Sequence, residues 1–512
     1  MATPNEKLAA SLSELKKLQS DGRKVFQSKE LTRVHRERLL KLGFIAEVMK
    51  GWLISSSPET AEGDSTPWYA SFWEFCARYC QERFGNDWHL SPEQSLLLHA
   101  ESNVIPPQVI IYTPKGTSNT IKLLFGTSLY DLKQEQMPPK GDIVDRDGLR
   151  LFSIPAALIK VPENFYQRYP IEAQVALSNI GDSSEVLGKL LDGGHSVVAG
   201  RLVGAFRRIG RADIADDILS AMKAAGYDVR ESDPFTEEQK FTDLRVGTSP
   251  IVGRLEALWQ SSRDVVLDAF PPAPGLPKNK KTYLKFVDEI YESDAYHSLS
   301  IEGYRVTPEL IERVRAGNWN PDHHDDDRDS RDALAARGYW QAFQLVKDAV
   351  TMIIGGEKPA EIVRAAHRDW YRGLFQPSVA AGLIQASALA GYRDNAVYIR
   401  GSRYVPPRWE AVRDAMPALF DLLENETEPA VCAVLGHWLF GYIHPYPDGN
   451  GRMARFTMNA FLASGGYPWT VIRVEDRKDY MQALDEASID LNIGPFANFI
   501  AQRVSWSLEQ AA

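Results

Sequence analysis

The densest group of residues able to do chemistry is His444-Pro-Tyr-Pro-Asp-Gly-Asn-Gly-Arg-Met-Ala-Arg455. His444 titrates near neutrality and can take a proton from an incoming nucleophile. Asp448 offers the hard oxygen that Mg2+ prefers alongside phosphates. Gly449 and Gly451 flank Asn450, and a glycine-containing turn can aim several backbone N–H groups at phosphate oxygens. Arg452 and Arg455 are placed to share one helix face and clamp polyphosphate oxygens. A His-Pro pair at a helix end and a DGNG turn are each ordinary. Six such positions in one short stretch describe a nucleotide-phosphate site with a metal and a general base.

Two apolar helices must hold that loop. Residues 430–443 (AVCAVLGHWLFGYI) precede it and 452–464 (RMARFTMNAFLAS) follow it. The second helix directs the positive end of its dipole at the loop, which suits an anion.

The segment resembles the signature of the Fic family, H-P-F-x-D/E-G-N-G-R-x-x-R, with Tyr446 where phenylalanine is usual. The resemblance implies that His444 is the catalytic base and Asp448 the Mg2+ ligand. It implies that Gly449, Asn450 and Gly451 hold the α-phosphate and its neighbours, and that Arg452 and Arg455 hold the outer phosphates of ATP. Aspartate before GNG points to AMP transfer, whereas a lysine there marks a kinase relative. The resemblance covers roughly 283–500 and implies an all-helical core with a β-hairpin flap. Residues 391–407 (GYRDNAVYIRGSRYVPP) resemble that flap, since Val397, Tyr398 and Ile399 followed by Gly401 suit a hairpin edge. Such an edge could hold a target protein's segment by strand addition. Asn459 and the run EDRKDYMQALDEAS also fit, and Tyr480 reads equally as a neighbour of the base or as a core residue.

Upstream, Ser298-Leu-Ser-Ile-Glu-Gly303 resembles the family's inhibitory motif. Ser298 and Glu302 share a helix face, and with Gly303 they imply a carboxylate paired to Arg455.

The chain has 512 residues, 44% hydrophobic and 25% charged, with a net charge of -10. That length implies more than one domain, and the acidic balance argues against nucleic-acid binding by the whole molecule. Cys76, Cys80 and Cys432 give no disulfide framework. Cys76 and Cys80 read as small apolar residues of one helix. No apolar run is long enough to span a membrane, and the amino-terminal residues lack the apolar centre of a signal peptide, so a cytoplasmic location is expected. The fold expected is mainly α: a Fic domain at 283–507, preceded by an α+β amino-terminal region. There, 1–100 is expected as a winged-helix region, 101–235 as an α+β domain without a nameable role, and 236–282 as a linker around FPPAPGLP.

Residues 29–54 give a helix, a stop at Gly43 and two short β-type runs. This order resembles the winged helix of AbiEi-type antitoxin regulators. Residues 1–60 hold 11 Lys/Arg against 7 Asp/Glu, and Arg33, Arg36 and Arg38 could contact DNA phosphates. A structural module presenting a protein surface is an equal reading. The acidic stretch Asp322–Asp327 reads as a solvated loop, His437 as a core histidine, and His367 beside Trp370 and Tyr371 as packing. The expectation is a protein adenylyltransferase that moves AMP from ATP to a Ser, Thr or Tyr hydroxyl of a target protein docked near 391–407, with Glu302 inhibiting. The alternative is a DNA-binding regulator with a nucleotide-sensing or AMP-removing Fic domain.

Overall fold

A computed structural model describes residues 3–60, 63–237, 241, 249–317 and 331–511. The chain forms two compact units, one of residues 1–239, 243–250 and 398–405, the other of 240–242, 251–397 and 406–512. The stretch Asp322–Asp327 lies outside the described residues.

In the first unit, Thr3 and Glu6 cap the helix Pro4–Leu18 reciprocally. Strand β1 (Val25–Gln27), the helix Arg33–Lys41, β2 (Ile45–Met49) and β3 (Trp52–Ser55) follow. Gly43 takes a φ of 76° just beyond that helix, where a side chain would be strained. The strands are antiparallel in the order β1-β3-β2. The helix, the stop at Gly43 and the pair β2-β3 follow the order expected for 29–54, whereas β1 was not expected from the sequence. Leu15, Phe26, Leu39 and Leu53 are among its core residues.

The unit continues through residue 100 without the division that the sequence led us to expect. Strands β4 (His89–Leu90), β5 (Gln108–Thr113), β6 (Thr120–Lys122) and β7 (Ser128–Lys133) form a sheet in the order β4-β5-β7-β6, with β5 and β7 parallel. So small a sheet cannot bury its apolar face alone. Val109, Ile111 and Leu129 instead share one core with Trp68, Phe72, Phe75 and Trp52. Cys76 and Cys80 are free thiols buried in that core, and burial pushes both well above the ordinary thiol range. A hairpin of β8 (Ile143–Arg146) and β9 (Leu149–Phe152) leads into helices that run from Ile154–Lys160 to Ala212–Ala224.

The second unit is helical. The 236–282 linker expected from the sequence contains the helix Pro250–Ala269, whose Leu255, Leu258, Trp259 and Val266 are buried. Arg254 donates to the Tyr442 hydroxyl at 2.7 Å, and Arg263 grips Glu426 with two nitrogens at 2.7 and 3.0 Å. The proline-rich run after it forms no ladder, yet it is tied down. Pro271 O accepts from the Tyr467 hydroxyl at 2.7 Å, and Gly275 N donates to Gly465 O at 2.9 Å. The helices Arg331–Ile354 and Pro359–Ala380 pack closely where Gly338 meets the backbone of Leu374, a contact that admits no Cβ. The helix Pro429–Ile443 is buried on nearly every side and packs against Asn450–Ser464.

Residues 391–407 form no hairpin. None of them lies in a strand, and their ladder contact is a bridge from Tyr404 to Val104 within the first unit. Pro406 and Pro407 have no N–H to give, and Gly401 breaks the extended run with a φ of 76°. No helix among the described residues is long and apolar enough to cross a membrane.

Candidate active site

The signature turn lies in the second unit, between the helices Pro429–Ile443 and Asn450–Ser464. His444 ends the first helix in the left-handed region, with φ 52°. Gly449, at φ 78°, starts the second. Here glycine is required twice, because a Cβ at 449 would also stand 2.8 Å from the Phe375 ring. Asn450 closes the turn from inside. Its Oδ1 accepts from Tyr446 N at 2.9 Å and its Nδ2 donates to Tyr446 O at 2.8 Å. The side chain therefore holds the loop, and what Asn450 can offer an anion is its backbone at the helix start. Tyr446 anchors the loop as an aromatic, stacked on Tyr371 with centroids 3.8 Å apart.

His444 Nδ1 lies 3.2 Å from Gly441 O, so the proton belongs on Nδ1 and Nε2 carries the free lone pair. Burial lowers its pKa to about 4. The charge of Arg393 acts in the same direction, against the carbonyl of Gly441 and the carboxylates of Glu302 and Asp448. The imidazole is thus a neutral base. The Asp448 side chain is exposed, accepts from Gly449 N at 2.6 Å and stands 3.6 Å from Arg452.

The two arginines are held differently. Arg452 is buried between the rings of Tyr304 and Phe375, its guanidinium carbon 5.2 and 5.0 Å from their centroids. Its Nε and Nη2 are buried without a hydrogen-bond partner. Arg455 is engaged at two nitrogens: Nε donates to Ser298 Oγ at 2.9 Å, and Nη2 to Ser298 O at 3.1 Å and Glu302 Oε1 at 2.7 Å. Burial works against its charge, but Glu302 outweighs burial and raises its pKa. Partial burial likewise raises the Glu302 pKa, and Arg455 and Arg452 outweigh this and hold it below the usual carboxylate range.

Glu302 caps the helix Lys280–Ile301. Gly303, at φ 86°, turns the chain away with Gly303 N bonded to Ser300 O and Tyr304 N to Leu299 O. The carboxylate lies directly over Gly451, where a Cβ would collide with Oε1. An anion therefore already stands at the start of the Asn450–Ser464 helix. Arg477 Nε fixes the end of the Glu302 helix by donating to Ile301 O at 2.8 Å.

Three residues were not singled out in the sequence. Asp294, one turn before Ser298, is buried and accepts from the Tyr339 hydroxyl at 2.6 Å. Burial lifts its pKa to about 6 against the pull of Tyr339, Trp469 and Arg455. Its four-residue spacing from Ser298 was the available signal. Arg477 had none beyond its run, and Arg393 none at all. Tyr480 takes the core reading: it bonds His437 Nε2 at 2.8 Å, and burial drops that histidine to about 3. Asn459 bridges to Thr470 through both ends of its amide. His367 bonds the Tyr392 hydroxyl at 2.9 Å, as packing requires. Among the described residues no group of three or more His, Cys, Asp or Glu is placed to hold a metal.

In the winged module, Arg36 donates to Ser28 O and Arg38 to Lys7 O and Ser11 Oγ. Arg33 pairs with Glu37. All three cations offered to DNA are thus paired within residues 7–38 of the chain itself.

Residues 359–462 match the family model of the Fic/DOC family, and the chain carries a Fic/DOC domain. It is 42% identical over 115 residues to a protein adenylyltransferase Fic of Nematostella vectensis, covering 22% of this chain and 26% of that protein. It is 35% identical over 122 residues to that of Drosophila willistoni, covering 23% and 24%. The match thus spans about a quarter of the length of these relatives. A solved structure of Fic-1 from C. elegans aligns over 67% of this chain and 97% of its own, at 16% identity and a TM-score of 0.39.

Proposed function

We propose that the second unit transfers AMP from ATP to a Ser, Thr or Tyr hydroxyl of a target protein, and that Glu302 restrains it. The observation that carries this reading is two buried arginines at one helix start, one gripped by Glu302 and the other, 3.6 Å from Asp448, with two nitrogens outside hydrogen-bond reach. Arg452 is a buried cation with two nitrogens lacking acceptors, next to a helix start whose anion position is taken by a side chain of the same molecule. A buried donor without a partner costs about 1–3 kcal/mol, which a phosphate oxygen would recover.

In this reading the target hydroxyl attacks the α-phosphorus, His444 Nε2 receives its proton, and the bond to the β-phosphate oxygen breaks to release pyrophosphate. The residues present suit Mg2+, which binds through one or two carboxylates plus substrate phosphates. Asp448, exposed beside the helix start, would hold it, and the ion would neutralise charge on the departing pyrophosphate. Glu302 occupies the Arg455 contact that the outer phosphates need, so ATP is held in a poor pose for attack. The target would dock along 391–407. Purified protein with α-labelled and γ-labelled ATP tests this reading: label on protein from the first alone supports it, and label from neither in the Glu302→Gly variant overturns it.

The DNA-binding reading of 29–54 keeps one favourable observation, the β1-β3-β2 order with its helix. Retarded migration of DNA by the full chain would support it.

A further inference from the structure

We propose that Arg393 is a positioning residue for the transfer: it locks both roots of the 391–407 segment to the backbone of His444, and so sets where a docked hydroxyl meets Nε2. This rests on the reading above, in which that segment receives the target.

The side chain is almost fully buried, at 4% exposure. Nε donates to His444 O at 2.8 Å and Nη2 to Ile443 O at 3.4 Å. Those carbonyls close the helix Pro429–Ile443, where acceptors are left over and the dipole favours a cation. On the outgoing root, Nη1 donates to Asn395 O at 3.0 Å; on the returning root, Nη2 donates to Pro407 O. The backbone N–H of Arg393 adds a bond to Pro445 O at 2.9 Å. One planar fork therefore reaches carbonyls on three stretches of chain, which a lysine ammonium cannot span. It also holds His444, a non-glycine residue in the left-handed region, a geometry that persists only when neighbours enforce it.

The far part of the segment is fixed separately, within the first unit. Ile105 N donates to Arg403 O at 2.9 Å, Val405 N donates to Asn103 O at 3.2 Å, and Lys24 donates to the Tyr398 hydroxyl at 3.1 Å. Arg393 fixes the register of the roots, 391–397 and 406–407, against the catalytic loop.

The test uses the full chain in the Glu302→Gly background, with Arg393→Lys and Arg393→Gln. Both should bind ATP within about twofold of the parent but label themselves about ten- to a hundredfold more slowly, the scale of a misplaced reacting group. Glu302, Asp448 and Arg393 are the charges that face His444. With Glu302 already absent, Arg393→Gln should move the acid limb of the rate to higher pH, while Arg393→Lys leaves it in place. Arg393→Ala should regain rate with millimolar guanidinium and not with ammonium. Hydrogen exchange in the otherwise wild-type chain needs no transfer. Arg393→Lys should speed exchange at 391–397 and 444–446, but not in β5 or β7. If the parent labels nothing while exchange changes as stated, the transfer reading fails and the clamp stands. Parental rate and exchange in Arg393→Lys would overturn the clamp.

Discussion

The signature turn and the 391–407 segment are both irregular stretches attributed to one site, and they are built in opposite ways. The turn carries most of its support within itself: Asn450 bonds both sides of the Tyr446 backbone four residues away, and Gly449 supplies one of its two left-handed backbone angles, His444 the other. The segment at 391–407 borrows its support. Arg393 bonds carbonyls up to 51 residues distant, and Tyr404 bridges to Val104. Self-supported structure leaves a compact motif in sequence. Borrowed structure leaves residues whose types say little about their partners.

The largest effect expected is at the base. His444→Ala should cut AMP transfer by about 10²–10⁴-fold, with ATP binding retained in equilibrium dialysis. Transfer equal to wild type would remove the turn from the chemistry altogether. Next is the contact between Glu302 and Arg455: Glu302→Gly should raise self-labelling by about a hundredfold, and adding Arg455→Ala should remove most of the gain. An unchanged rate in a folded Glu302→Gly protein would make the SLSIEG segment an ordinary helix end.

The comparison itself is sharpened by two substitutions measured side by side. Asn450→Ala leaves two buried backbone groups unpaired, at about 1–3 kcal/mol each, and should lower both the melting temperature and nucleotide affinity. Tyr404→Ala should cost comparable stability, as a large buried side chain, yet leave ATP affinity unchanged. If both variants lose ATP equally, the distinction between self-held and borrowed structure fails. The same logic applies to truncation: a chain starting at 279 lacks the buried face of Pro250–Ala269 and should melt well below one starting at 249, by several kcal/mol of apolar burial.

The smallest effect concerns pH. With His444 depressed to about 4, the free base is fully available at neutrality. Protonation removes the acceptor, so kcat/KM should fall only as pH drops through about 4, and should differ by less than about twofold between pH 6 and 8. An ordinary histidine, titrating near 6.5, would lower the rate about fourfold from pH 8 to pH 6.

The sequence by itself determined the turn. His444, Asp448, the two glycines and the two arginines are close in the chain, and helices on either side follow from apolar periodicity. It also determined the order of helix, glycine stop and two strands at 29–54, where Gly43 and short β-type runs act over a few residues. Only the tertiary structure decided which arginine keeps nitrogens outside hydrogen-bond reach. Arg452 and Arg455 look alike in the chain, but Arg455 meets Ser298 and Glu302 from 153 to 157 positions away, while Arg452 is left between two rings. It alone revealed that Asn450 braces the loop, that a helix occupies the expected linker, and that Pro406, Pro407 and Gly401 defeat the expected hairpin. For Arg455 and for the helix in the expected linker the deciding partner lies far along the chain, and it is not written in the type of the residue that meets it.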